Sequence, residues 1–231
     1  MEPAPIDGAS QALAWSGLLR LRRTWAFIIG KFLTDGVWWF FLFWLPKYLT
    51  DKYGMSTQEL MVPLTVLYSM TMVGSIGGGW LPAYFIKRGI APHASRMRAM
   101  LLIAFFPLAV LLAQPLGYLG YWLPIAVIGI GASAHQAWSC NLMTTASDLF
   151  PRRYIGSVVG MVGLAGGIGA VVVTKLGGML FDHYGAAGQL QKAYMLMFAY
   201  CALVYLLAWS VMGLLVRSQA LASKAKERAD A

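Results

Sequence analysis

Gly30-Lys31-Phe32-Leu33-Thr34-Asp35-Gly36-Val37-Trp38-Trp39-Phe40-Phe41-Leu42-Phe43-Trp44-Leu45-Pro46-Lys47-Tyr48-Leu49 continues an apolar run that begins at Trp25. A hydrocarbon core about 30 Å thick needs roughly 20 helical residues at about 1.5 Å each, so the run is long enough to cross a bilayer. Lys31 and Asp35 lie inside it, one helical turn apart. A charge at mid-membrane costs about 2.5–3.5 kcal/mol on insertion scales and normally faces a bundle interior or a wet cavity. At 100° per residue, Lys31, Asp35, Trp38, Trp39 and Leu42 share one side, which sets a cation, an anion and aromatic surface together. Two readings stand side by side: a structural i, i+4 ion pair, or a site for a small polar ligand in which Asp35 takes part.

The rest of the chain repeats the theme of apolar spans. Its 231 residues are 59% hydrophobic and 12% charged, with mean hydropathy +0.63, values of a polytopic membrane protein. Apolar stretches at 25–49, 59–86, 99–114, 121–146, 155–181 and 193–215 give six transmembrane helices in a bundle over 25–216. Residues 1–24 form a tail and an interfacial segment, flexible over 1–12 and a surface helix over 13–23. Residues 217–231 are a basic tail, helical or disordered.

The net charge of +9 does not point to nucleic acid, because of where the cations fall. Thirteen of the eighteen Lys and Arg lie on one side of this topology. Only Lys47, Lys52 and Lys192 lie on the other, with Lys31 and Lys175 inside spans. By the positive-inside rule the basic side, with both termini, is cytoplasmic.

A second polar insertion sits in the fourth span: Ala134-His135-Gln136-Ala137-Trp138-Ser139-Cys140-Asn141. Trp138, Asn141 and Thr145 make one stripe, with Gln136 nearly opposite. The ligand face is expected on the Trp138/Asn141 side, and helix-to-helix hydrogen bonds from Gln136. The alternative makes all of these interhelical contacts. Glycines recur in the second span (Gly74, Gly77, Gly78, Gly79) and the fifth (Gly156, Gly160, Gly163, Gly166, Gly167, Gly169), where backbones can approach closely. Polar breaks in spans one and four are the pattern of a 3+3 inverted repeat.

Cys140 and Cys201 show no metal or redox spacing, and no cofactor is expected. His135 and Ser139 are one turn apart, but no Gly-x-Ser-x-Gly element or third orienting residue accompanies them, so the chain is not read as an enzyme. A channel would show a repeated polar filter, and none occurs in the sequence.

The segments Gly30–Asp35, Val37–Phe40 and Trp44–Leu49, with Ala134–Ser139, Asn141, Thr144–Pro151 and Gly156–Gly160, resemble the C-terminal half of a major facilitator superfamily transporter. Within it they look like the anion:cation symporter family, and most like bacterial hexuronate transporters. The resemblance covers roughly residues 20–216. It implies an all-α fold equivalent to helices seven to twelve of twelve, in a bacterial inner membrane. Such proteins move organic anions, sugar acids among them, with protons by alternating access between two halves. Carried over, the substrate site comprises Lys31, Thr34, Asp35 and Trp39 with Gln136, Trp138, Ser139 and Asn141. The partners implied are the lipid bilayer, an organic anion, protons and an N-terminal six-helix half. The other reading is a non-transporting six-span fragment or partner subunit. Two departures stand out: Pro82 and Ala83 replace a loop acid, and Gly36 a proline.

Overall fold

The computed structural model describes residues 15–229, with side chains over 16–216. Helix α1 (Trp15–Leu19) is followed by α2 (Arg22–Tyr53), α3 (Thr57–Lys87) and α4 (Pro92–Phe105). A 3₁₀ stretch (Phe106–Leu112) leads into α5 (Ala113–Leu116), then α6 (Trp122–Leu149), α7 (Arg152–Ala186) and α8 (Leu190–Ala229). Among the described residues there is no strand. The flexible tail expected over 1–12 lies outside the described residues. The basic tail expected beyond 216 continues α8 as helix to Ala229.

Local chemistry sets the ends. Gly54, at φ 68°, closes α2, and its N–H donates to the Thr50 carbonyl. Ser56 then opens α3 with a capping box: its backbone N–H and hydroxyl both donate to Glu59 Oε2, at 2.8 and 2.7 Å. The helix of the first span runs past the expected Leu49 to Tyr53, with Pro46 inside it. The added turns are held from outside. Asp51 pairs with Lys47 at 2.8 Å and accepts from Tyr194 at 2.7 Å, while the Tyr53 hydroxyl donates to the Gly117 carbonyl at 3.0 Å. Between α4 and α5, Pro107 has no N–H for an α bond, and the Phe106 N–H has turned to Ile103, three residues back.

Five helical segments are long and apolar enough to cross a membrane: Arg22–Tyr53, Thr57–Lys87, Pro92–Leu116, Arg152–Ala186 and Leu190–Val216. The sixth expected span, α6, is 28 residues long but is not among them. His135, Gln136, Ser139, Asn141, Thr144 and Thr145 dilute its hydropathy.

Two helix pairs pack backbone to backbone. A Cβ on Gly78 of α3 would stand 2.5 Å from Ala137 Cα of α6, and one on Gly74 would meet the Ser133 backbone. Likewise, a Cβ on Gly169 of α7 would meet the Phe32 carbonyl of α2, and one on Gly36 would meet Val173. Small residues at such spacings let dispersion act over long stretches of backbone where lipid offers no hydrophobic drive. Aromatic rings (Phe40, Phe181, Phe198, Tyr48, Tyr194) fill the interior between α2, α7 and α8.

Candidate functional site

The two polar breaks meet. Lys31 Nζ lies 2.7 Å from Asp35 Oδ1 and donates across to Ser139 Oγ of α6 at 2.8 Å. Both charged side chains are largely buried, 11% and 16% exposed. The Asp35 carboxylate rests on the bare backbone of Gly166 in α7, where a Cβ would collide with it. A third helix is therefore part of the cluster, on the strength of a missing side chain. Behind it, the Tyr200 hydroxyl of α8 donates to the Leu33 carbonyl at 2.5 Å, fixing the turn that carries the pair.

Thr34 is fully buried and its hydroxyl donates to the Gly30 carbonyl of its own helix at 2.8 Å, so it points away from Asp35's open side. Trp39 lies on the exposed strip of α2 with Leu42 and stacks on Phe43, ring centroids 5.5 Å apart. Trp38 turns the other way: it stacks on His135 at 5.7 Å, and His135 Nδ1 shares a 2.9 Å hydrogen bond with the Tyr205 hydroxyl. The single face expected for Lys31, Asp35 and both tryptophans is thus split between them.

On α6 the expected faces are exchanged. Trp138 is completely buried, edge-on to Tyr205. Asn141, 1% exposed, donates from Nδ2 to the Gly78 carbonyl of α3 at 2.6 Å and to the Ala137 carbonyl at 2.9 Å. The Trp138/Asn141 stripe therefore packs against neighbouring helices. Ser139 is half-buried beside Lys31, and half-buried Gln136 shows no interhelical hydrogen bond among the described residues. The physical reason is steric: α3 presents Gly74 and Gly78, and only the Ser133–Ala137–Asn141 line of α6 is small enough to meet them. Matching small residues at i, i+4 in both segments was the available signal. The residues missed from sequence are Gly166 and Tyr200; the glycine run in the fifth span hinted at the first, and nothing in the pattern at the second.

A second cluster closes the opposite end of α6. Arg96 of α4 pairs with Asp148 and donates to Thr144 Oγ1 at 3.0 Å. Arg23 of α2 donates to the Leu149 carbonyl at 3.1 Å and lies over the Phe150 ring, 4.9 Å from its centroid.

With this geometry in view, comparison with known proteins is informative. The family model described as Major Facilitator Superfamily matches residues 2–174. The chain belongs to that superfamily. It is a multi-pass, all-helical membrane protein whose relatives are transporters, not enzymes. A hexuronate transporter of Escherichia coli K12 is 29% identical over 173 residues, 73% of this chain and 39% of the relative. A D-galactonate transporter of E. coli O6:H1 is 28% identical over 162 residues, 69% of this chain and 36% of the relative. A glucose-6-phosphate exchanger of Mus musculus is 29% identical over 211 residues, 87% of this chain and 38% of the relative. The chain therefore spans about two fifths of the length of these relatives.

Proposed function

We propose that this chain supplies one six-helix half of a transporter for a sugar acid such as a hexuronate, working by proton-coupled alternating access in a bacterial inner membrane. A second six-helix unit completes it. The observation that carries the reading is the Lys31–Asp35–Ser139 cluster where α2, α6 and α7 meet. An ammonium has three protons to donate; here one goes to Ser139, and Asp35 stands 2.7 Å away as a second, ion-pair partner. The third is available to a carboxylate, with Gln136, Trp39 and Ser139 at hand for sugar hydroxyls and ring faces. Relatives named for hexuronate and galactonate favour the same class of anion.

Proton coupling follows from competition. While Asp35 is ionised it holds Lys31; a proton on Asp35 weakens that hold and frees the ammonium for the substrate carboxylate. Thr34, Trp138 and Asn141, though part of the site by resemblance, act here by holding helices.

Helix pairing agrees with a 3+3 repeat. Exchanging the first three spans for the last three turns the α2–α7 contact into the α6–α3 contact, and both are present. On this reading α6 also crosses the membrane, its polar side covered by neighbours, and both termini are cytoplasmic. With Cys140 and Cys201 replaced by alanine, Gln189→Cys reacts with an impermeant thiol reagent from outside intact cells and Lys87→Cys does not. The reverse labelling would overturn the orientation.

The functional test is uptake of labelled hexuronate into liposomes carrying this chain together with an N-terminal six-helix half. Uptake is expected to fall as external pH rises, and to be absent with either half alone. Uptake by this chain alone, or pH-independent uptake by the pair, would sink the proposal.

A further inference from the structure

Separate from the Lys31, Asp35 and Ser139 side chains, α3, α6 and the stretch Ile103–Phe106 line an apolar groove of about 480 Å³. Met70, Val73, Gly77, Trp80, Phe106 and Ile130 line it. Apart from the Trp80 indole N–H, its one polar side-chain group is the Ser133 hydroxyl, already committed, lying 2.8 Å from the Met70 carbonyl and 2.7 Å from the Gly129 carbonyl. With no charged side chain in the lining, the groove offers a sugar acid's carboxylate no counter-ion.

Its dimensions select among apolar occupants. From Met70 to Leu81 the lining follows α3 for about 16 Å, close to the depth of one leaflet's hydrocarbon, roughly 15 Å. A groove of that length and apolar lining matches one acyl chain lying along α3.

The groove leads to positive charge. Trp80 in its wall stacks on Tyr84 at 5.5 Å, and the Arg88 guanidinium lies 4.4 Å above the Tyr84 ring. This ladder, at i, i+4 and i+8, climbs from the apolar wall to the exposed cations Lys87, Arg88 and Arg98. Arg96 is engaged by Asp148, whereas no ion pair to Lys87, Arg88 or Arg98 is seen among the described residues. Aromatic rings at headgroup depth followed by basic residues are the arrangement that holds an anionic lipid.

We propose that this groove is a binding site for an anionic phospholipid, one acyl chain lying on Gly77 between α3 and α6 and the phosphate held by Lys87 and Arg88. The site is independent of the transport cycle proposed above.

Native mass spectrometry of the purified full chain tests it, with phosphatidylglycerol and phosphatidylcholine of identical acyl chains as probes. Phosphatidylglycerol is expected to be retained roughly ten-fold or more over phosphatidylcholine, given about 1 kcal/mol per basic residue near an anionic headgroup. Gly77→Leu fills the groove from a position whose Cβ meets nothing within 4 Å, and should lose both adducts at an unchanged melting temperature. The pair Lys87→Gln and Arg88→Gln should keep the adducts and lose the preference. Equal retention of the two lipids by the unmodified chain, or undiminished phosphatidylglycerol on Gly77→Leu, would overturn the proposal. So would a disulfide-linked dimer formed through Gly77→Cys, which would put a second copy in the groove.

Discussion

The α2–α7 and α3–α6 contacts are built alike and loaded differently. Each sets glycines of one helix against the other helix: Gly169 against the Phe32 backbone and Gly166 against the Asp35 side chain in the first, Gly74 and Gly78 against the α6 backbone in the second. In the second, the side-chain donors at the contact are answered by fixed carbonyls: the Asn141 amide N–H by Gly78, the Ser133 hydroxyl by Met70. In the first, the polar groups answer each other: Lys31 holds Asp35, and Asp35 sits on glycine with no carbonyl to lock it. One contact is a permanent joint. The other holds a carboxylate and an ammonium, the pair that the function proposed above would exchange for a proton and an anion.

The largest expected effect breaks the charged contact. Lys31→Ala leaves a largely buried carboxylate without its cation and is expected to cost about 3–5 kcal/mol, read as a drop in melting temperature in detergent. Adding Asp35→Ala should restore most of it, and failure to do so would show that Lys31 supports the fold by some route other than the pair. Asp35→Asn keeps shape and hydrogen-bonding capacity, so it should fold. In the assembled transporter it imitates the protonated state: sugar-acid binding should persist at high pH, where the unmodified protein weakens, and the pH dependence of uptake should flatten.

A smaller effect tests the permanent joint. Gly78→Val drives a side chain into Ala137 and should cost about 1–3 kcal/mol. Gly77→Val, one residue on and facing open space, should change stability by less than about 0.5 kcal/mol. Equal losses at the two positions would mean that the α3–α6 approach is not what the glycine serves.

Smaller still is Asn141→Ala, which removes one interhelical hydrogen bond of about 0.6 kcal/mol, up to about 1.7. If Asn141 only joins helices, hexuronate affinity in the assembled transporter should survive this substitution. A loss of affinity without a loss of stability would return Asn141 to the ligand face.

These contrasts also mark what could be read from sequence. The existence of the long helices was legible, because hydropathy and length alone demand it. So was the i, i+4 pairing of Lys31 and Asp35. The ends were less so: the first span is expected to close at Leu49, yet contacts from Asp51 and Tyr53 carry α2 past it. What the faces of α6 pack against was not legible, because a helical wheel shows which residues lie together but not what stands opposite. Trp138 and Asn141 look like ligand groups until Gly78 and Tyr205 are set against them. For Gly166 the glycine run showed close packing, but not that the room it leaves is taken by Asp35.

The 3₁₀ stretch Phe106–Leu112 bears on how the molecule sits in its solvent. Seven residues rising about 2.0 Å each, where an α-helix rises about 1.5 Å, reach roughly 3.5 Å further. That difference is about the few ångströms by which biological bilayers vary in hydrocarbon thickness. In its 3₁₀ winding this segment reaches that much further along its own axis than an α-helix of the same seven residues would. Pro107, with no N–H for an α bond, thus sets the thickness of bilayer that this one stave of the bundle meets.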